Sequence, residues 1–289
     1  MGVPLSARLD RLFTPVWAGG WAVTRVGFAL AQGVELARQA RQVQDSLAHP
    51  GLNFGSGLLH LSDTALLSAP VAWAAWAVAA GGLVALAIGG RMAKVALAAW
   101  MLAELALFVG LGWELNAPER VAGWAAAGLL LGPIDERALD RKERSPLGRW
   151  FFLTWMSAMY LTTGWMKLRY EPGWHDGSIL RQALLDPYLG GTPQGIWLAG
   201  HAGATRVLAW FTIVTELSLG VGIWLRRANP WVLLLGVGFH LGVAATMSIG
   251  PLTFVVLAAY PVLLAPDVAQ RWWQSTRPSR QTTSKLSSP

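Results

Sequence analysis

Long runs of apolar residues with almost no charge constrain this chain more than any other feature. Several runs reach about 18 residues or more with one charge or none, which is typical of helices that cross a bilayer. Only 13% of the residues are charged and 54% are hydrophobic, whereas an ordinary soluble domain is about 25% charged. The sequence therefore predicts an all-α fold, a polytopic transmembrane helical bundle.

The hydropathy pattern predicts one transmembrane helical domain over residues 1–268 and a polar, basic tail over residues 269–289, which we expect to be disordered. The domain divides into about eight spans, at residues 15–30, 66–89, 95–111, 121–131, 150–168, 207–225, 231–249 and 252–264. With a cytoplasmic N-terminus, most Lys and Arg residues fall in inner segments, so both termini are expected in the cytoplasm. The basic residues of the outer side are Arg38, Arg41, Arg120, Lys167, Arg169, Arg181 and Arg206.

Composition excludes several classes of protein. The chain has no cysteine, which excludes disulfides and thiolate metal sites, and we expect no metal. The net charge of +7 is explained by inner loops rather than by nucleic-acid binding, for which the chain carries no motif. No internal repeat is visible, so a transporter built from inverted halves is disfavoured.

Four ionisable residues fall well inside the predicted spans: Arg25, Glu104, Glu216 and His240. A charge there is costly in lipid, so each is expected to face the bundle interior beside a partner. Pairing Arg25 with Glu216 or Glu104 would offset that cost. Such a pair can fix the register of the helices without taking part in chemistry. Both the structural and the chemical role stay open.

One face of the fifth span carries Tyr160, Thr163, Gly164 and Lys167, three or four residues apart. Lys167 lies at the outer rim of the membrane, where a lysine can simply extend its ammonium to water. Alternatively it is partly desolvated, which disfavours the ammonium form and allows the amine to act as a base. The loop that follows contains His175 and Asp176, for which a role in loop structure is favoured.

His240 lies in the seventh span, where helical spacing places Gly236, Val243, Ala244 and Met247 on its face. These small neighbours allow the close approach of another helix or of a flat ligand. A lone histidine in a span is either hydrogen-bonded packing or a ligand-binding group, and the pattern leaves both open.

Three segments resemble a known family. GWMKLRYEPGWHDGSIL, TELSLGVGIWL and FHLGVAATMSIGPLTFVVLAAYPVLL resemble the membrane domain of the vitamin K-dependent gamma-glutamyl carboxylases. They are still more similar to the short bacterial relatives of those enzymes, the horizontally transferred transmembrane (HTTM) domain family. The resemblance extends to the arginine of the first span, in AVTRVGFALAQG.

The resemblance implies a membrane enzyme in which Lys167 deprotonates a lipid quinol, either reduced vitamin K or menaquinol, and oxygen and carbon dioxide are possible co-substrates. His240 is then the second catalytic residue, and Arg25 and Glu104 belong to the polar core. The implied quinone-binding residues are Tyr160, Thr163, Gly164, Trp174, Glu216 and Met247. The stretch WELNAPERVAGW lacks a histidine that the carboxylases carry, so quinol epoxidation is implied more firmly than glutamate carboxylation.

These expectations place the protein in a bacterial inner membrane, with its site toward the periplasmic face and a peptide or small molecule as acceptor. The alternative is a non-enzymatic membrane protein that binds a lipid or peptide partner as a maturation or immunity factor. In that case Lys167 anchors its helix, and the polar interior residues only fix the fold.

Overall fold

A computed structural model describes residues 16–48, 67–111, 117–134, 143–144, 146–265 and 268. The described chain is helical apart from a two-residue antiparallel pair, β1 (Val16–Trp17) with β2 (Glu143–Arg144), and the all-α prediction is confirmed. The helices are α1 Ala18–Ala48, α2 Ala69–Ile88, α3 Ala93–Leu111, α4 Ala117–Leu131, α5 Leu147–Arg169, α6 Gly173–Asp176, α7 Ser178–Leu185, α8 Pro193–Ala199, α9 Ala202–Gly222, α10 Asn229–Thr246 and α11 Leu252–Leu263. The tail at 269–289 lies outside the described residues.

A helix occupies each of the eight predicted spans. Among the described residues, α2, α3, α9 and α10 are long and apolar enough to cross a membrane, and α11 is an apolar helix of 12 residues. Their outward sides carry exposed apolar side chains, such as Val84, Leu102 and Val207, in agreement with a lipid environment. The count of eight spans and the placement of the termini stay predictions.

The first helix is longer than predicted. The sequence predicts a span that ends at residue 30 and a separate amphipathic segment lying along the membrane surface. The structure instead shows one continuous helix of 31 residues, about 46 Å long at 1.5 Å per residue. No proline interrupts it, so the amphipathic segment is a continuation of the helix of the predicted first span.

The core lies where the long helices pack against one another. Helix α1 packs against α2 and α11, α2 against α3, and α5 against α9. Gly20 and Gly27 allow the close approach of α1 to α11, since an added Cβ would lie 2.8 Å from the carbonyl oxygen of Pro261 and 3.0 Å from Cβ of Ala258. The largest fully buried side chains of the interior include Trp21, Phe28, Phe152, Met156 and Ile213.

The segment between α5 and α9 folds into three short helices, where the sequence predicts only a polar loop. Its far end docks on the end of α10, because the Thr192 hydroxyl donates to the carbonyl oxygen of Thr246 (2.9 Å) and the Ser248 amide donates to that of Leu189 (2.8 Å). These two hydrogen bonds therefore hold the segment between α5 and α9 against the end of α10.

Candidate functional site

Lys167 and Glu216 form an ion pair at the contact between α5 and α9. Lys167 Nζ donates to both carboxylate oxygens of Glu216, at 2.7 Å from Oε1 and 2.8 Å from Oε2. Only 16% of the lysine side chain and 10% of the glutamate side chain are exposed. Lys167 belongs to the last turn of α5, where the helix dipole also favours a cation.

Gly164 explains why Glu216 reaches Lys167. It lies buried on α5, three residues before the lysine. A Cβ at Gly164 would lie 3.2 Å from Cβ of Glu216 and 3.1 Å from the Leu217 side chain. The missing side chain thus lets α9 approach α5 closely. Thr163, on the same face, donates its hydroxyl to the carbonyl oxygen of Met159 within its own helix (2.9 Å).

The loop after α5 covers the pair with an aromatic ring. Lys167 Nζ lies 5.0 Å from the ring centroid of Trp174, within cation–π range. The neighbouring His175 ring stacks on Trp210 at 5.2 Å, and its Nε2 lies 2.9 Å from the carbonyl oxygen of Leu168. His175 therefore holds the loop against α5 and α9.

Asp176 completes this loop structure. Its Oδ1 accepts the backbone N–H of Ser178 at 2.8 Å, at the start of α7. This hydrogen bond holds the pKa of Asp176 below its usual range. Gly177, between the two residues, has φ +82°, and an added Cβ would collide with the Arg206 backbone.

A second polar cluster links three helices deep in the bundle. The Tyr160 hydroxyl lies 2.7 Å from Nε2 of His240 and 2.9 Å from the hydroxyl of Tyr260. These residues belong to α5, α10 and α11, and each side chain is buried. Gly236 makes room for the cluster, because a Cβ there would collide with the Tyr260 hydroxyl.

Residues 133–268 match the family described as the HTTM domain. Just under half of the chain is therefore similar to the HTTM domain. The match agrees with the resemblance recognised from the sequence, and it spans both the Lys167–Glu216 pair and the tyrosine–histidine cluster. No curated protein and no solved structure matches the chain significantly. Residues 1–132, which include α1, α2 and α3, lie outside the HTTM match.

The predicted pairing of Arg25 is wrong. Glu216 accepts from Lys167, and Glu104 accepts from Nε2 of Gln39 at 3.2 Å. Arg25 Nη1 instead donates to the carbonyl oxygen of Ile134 at 2.8 Å. The guanidinium also lies against Gly89, where φ is +77°. Arg25 thus ties α1 to the segments that follow α2 and α4.

The predicted position of Met247 is also wrong. It was placed on the helical face of His240, but α10 ends at Thr246 and Met247 is extended, with φ −135° and ψ 147°. The docking of Ser248 on Leu189 and the turn at Gly250–Pro251 end the helix before it. Met247 consequently leaves the helical face that carries His240.

Sequence reasoning missed Tyr260. The signal was present, because a tyrosine within an apolar span must find a hydrogen-bond partner for its hydroxyl. Among the described residues, no group of three or more His, Asp or Glu side chains is arranged to hold a metal ion.

Proposed function

We propose that this protein is a membrane enzyme that uses a lipid quinol and oxygen, with Lys167 as the base that removes a proton from the quinol hydroxyl. The observation that carries the proposal is the partly buried Lys167–Glu216 pair at the end of α5. A base that acts on an apolar substrate needs a site shielded from water, and the burial of both side chains of this pair supports such a role.

The pair can exist in two forms. In one it holds an ammonium and a carboxylate, and in the other an amine and a carboxylic acid. Exclusion of water by an apolar ligand disfavours the charged form, so it increases the share of neutral amine. The amine nitrogen then accepts the quinol proton as the O–H bond breaks, and the Glu216 side chain stays in place to stabilise the new ammonium.

His240 supplies the second contact of the proposed site. Its ring is held by the Tyr160 hydroxyl, and Tyr160 lies on the same face of α5 as Gly164 and Lys167. Trp174 provides an aromatic surface next to the ammonium. In this proposal a quinol lies between Lys167 and His240, with its isoprenoid tail toward lipid.

The overall reaction is balanced without a metal. One quinol and one oxygen molecule give one quinone epoxide and one water. Carboxylation would add carbon dioxide to an acceptor that has lost a proton in the same site. The acceptor is a peptide or small molecule at the outer face of a bacterial inner membrane. These assignments rest on the resemblance to the carboxylases together with the HTTM match.

The proposal is tested by loading the protein with quinol in the absence of oxygen and then adding oxygen. The full chain in lipid nanodiscs is incubated with reduced vitamin K or menaquinol, exposed to ¹⁸O₂, and the quinone products are analysed by mass spectrometry. Labelled epoxide is expected from the wild type and not from Lys167→Ala. Arg169→Ala is the matched control, because it removes an exposed cation two residues away and is expected to retain activity.

The Lys167→Arg variant distinguishes the loss of the base from the loss of folding. Arginine keeps a cation beside Glu216 but does not deprotonate in proteins, so a folded Lys167→Arg protein is expected to form no epoxide. Epoxide from this variant at the wild-type rate, or none from a folded wild type, would overturn the proposed chemistry. The second result would favour the competing function, in which the protein binds a lipid or peptide partner and the ion pair fixes α5 against α9.

A further inference from the structure

A cavity of about 300 Å³ lies between α1, α3 and α4. Neither Lys167 nor His240 lines it. Its described lining consists of Gln32, Glu35, Gln39, Trp100, Met101, Leu102, Glu104, Leu105, Phe108, Glu119, Ala122, Gly123 and Pro251. The volume is within the range of small-ligand sites, and most of the lining belongs to the part of the chain that precedes the HTTM match.

The charged side chains among the described lining of this cavity are all acidic. Three carboxylates line it, from Glu35, Glu104 and Glu119, and no Lys, Arg or His is among the described lining residues. Glu35 is paired with Arg38, whose Nη1 lies 3.4 Å from Oε2 of Glu35 and whose side chain is 59% exposed. The inside of the cavity therefore favours positive charge.

Gln39 gives an independent indication of a hydrogen-bond donor. Its side chain is only 3% exposed, and its Nε2 donates to Oε2 of Glu104 at 3.2 Å. Its buried carbonyl oxygen Oε1 has no hydrogen-bond partner among the described residues. A buried acceptor without a donor is unfavourable, and a ligand that carries N–H groups would satisfy it.

The shape and walls of the cavity argue for an organic cation rather than a metal ion. In the described ranges, no three acidic side chains converge as metal ligands. Met101, Leu105 and Phe108 form apolar walls beside the carboxylates. We propose that the cavity binds an organic cation in which a primary ammonium or guanidinium is attached to a compact apolar body. The N–H groups donate to Glu104 and Gln39, and the body packs on the apolar walls.

The first experiment compares two probes of nearly equal shape. Phenethylamine and the neutral 2-phenylethanol are titrated into the full chain in phosphatidylcholine nanodiscs by calorimetry. We expect the amine to bind about tenfold more tightly than the alcohol, the ratio given by one charge-assisted hydrogen bond. Equal affinities for the two probes would overturn the proposal.

Substitutions test whether phenethylamine binds inside this cavity. Glu104→Gln should weaken the amine about tenfold, whereas Asp45→Asn, an exposed acid on the same helix α1 outside the cavity, should leave it unchanged. Gly123→Leu keeps every charge but fills the cavity, and an added Cβ at Gly123 meets nothing within 4 Å. The matched control is Gly81→Leu, which is equally open but lies on α2. Undiminished binding by a folded Gly123→Leu protein would contradict this location.

The ammonium could come from a soluble amine or from a lipid headgroup. Replacing part of the phosphatidylcholine by phosphatidylethanolamine distinguishes the two, because only the latter carries N–H donors. A weaker apparent affinity for phenethylamine in these nanodiscs would identify the lipid as the occupant. An unchanged affinity would assign the cavity to a soluble amine. Neither result depends on quinol chemistry, so this proposal and the proposed function can fail separately.

Discussion

The ammonium of Lys167 faces both oxygens of the Glu216 carboxylate, at 2.7 and 2.8 Å, across the α5–α9 contact. The two residues are 49 positions apart in the chain. Their meeting depends on the buried Gly164, which lets the two helices approach. Lys167 is therefore held by Glu216, an acid that the resemblance places among the quinone-binding residues.

Removing one member of this pair should destabilise the protein more than removing both. Lys167→Met and Glu216→Leu each leave one partly buried charge without its partner, and each is expected to lower the free energy of unfolding by about 2 kcal/mol. The double variant should be closer to wild type. Thermal unfolding of the four proteins in one detergent measures the cycle, and a double variant as unstable as the sum of the singles would contradict the expectation.

Tyr160→Phe should destabilise the bundle by about 1–3 kcal/mol, because His240 and Tyr260 both lose their shared hydrogen-bond partner. Tyr260→Phe is the matched control and should be milder, since it leaves the Tyr160–His240 contact intact. Denaturant or thermal unfolding compares the two variants. Equal stabilities for both would show that the Tyr160 hydroxyl does not connect the three helices.

Gly236→Ala should destabilise the contact between α10 and α11. The new methyl group would collide with the Tyr260 hydroxyl and lie 2.9 Å from Cδ2 of Leu219, and such overpacking costs about 1–3 kcal/mol. Gly238→Ala, two residues away on the same helix, meets nothing within 4 Å and should be neutral or stabilising by up to about 1 kcal/mol. Gly236→Ala is therefore expected to lower the melting temperature, and Gly238→Ala to leave it unchanged or raise it. Equal melting temperatures for the two variants would contradict the predicted collision at Gly236.

Asp176→Ala should destabilise the loop at neutral pH but not in acid. The hydrogen bond from the Ser178 amide holds the pKa of Asp176 below its usual range, so the carboxylate contributes stability above its unfolded pKa of about 4. That contribution is lost as the pH falls through the lowered value. The difference in melting temperature between wild type and variant should therefore shrink below pH ~4, and a difference that grows in acid would contradict the assignment.

The helices could largely be predicted from the sequence, because hydropathy and length act locally. The sequence also placed Tyr160, Gly164 and Lys167 on one face, which the geometry of α5 bears out. The partners could not be predicted in this way. Spacing along one helix does not determine which distant helix faces it, so Arg25 was paired with acids that in fact bond to Lys167 and Gln39.

Two further errors have local causes. The first span was ended at residue 30 because its polar continuation looked interfacial, although nothing in Ala18–Ala48 breaks a helix. The predicted seventh span runs to residue 249, and this end point puts Met247 on the helical face of His240. Backbone hydrogen bonding between Ser248 and Leu189 ends the helix sooner, and such a tertiary contact has no signature in periodicity.

The packing of α1 on α11 determines when during synthesis the contact between these two helices can form. Gly20 and Gly27 of α1 lie against Pro261 and Ala258 of α11, so this contact cannot form until the ribosome has delivered α11. Until then the apolar side of α1 and its Thr24 and Arg25 side chains, which end up buried, need temporary cover from lipid, from the helices that follow or from the insertion machinery. The packing of α1 is therefore expected to be completed late in synthesis, when α11 is inserted beside it.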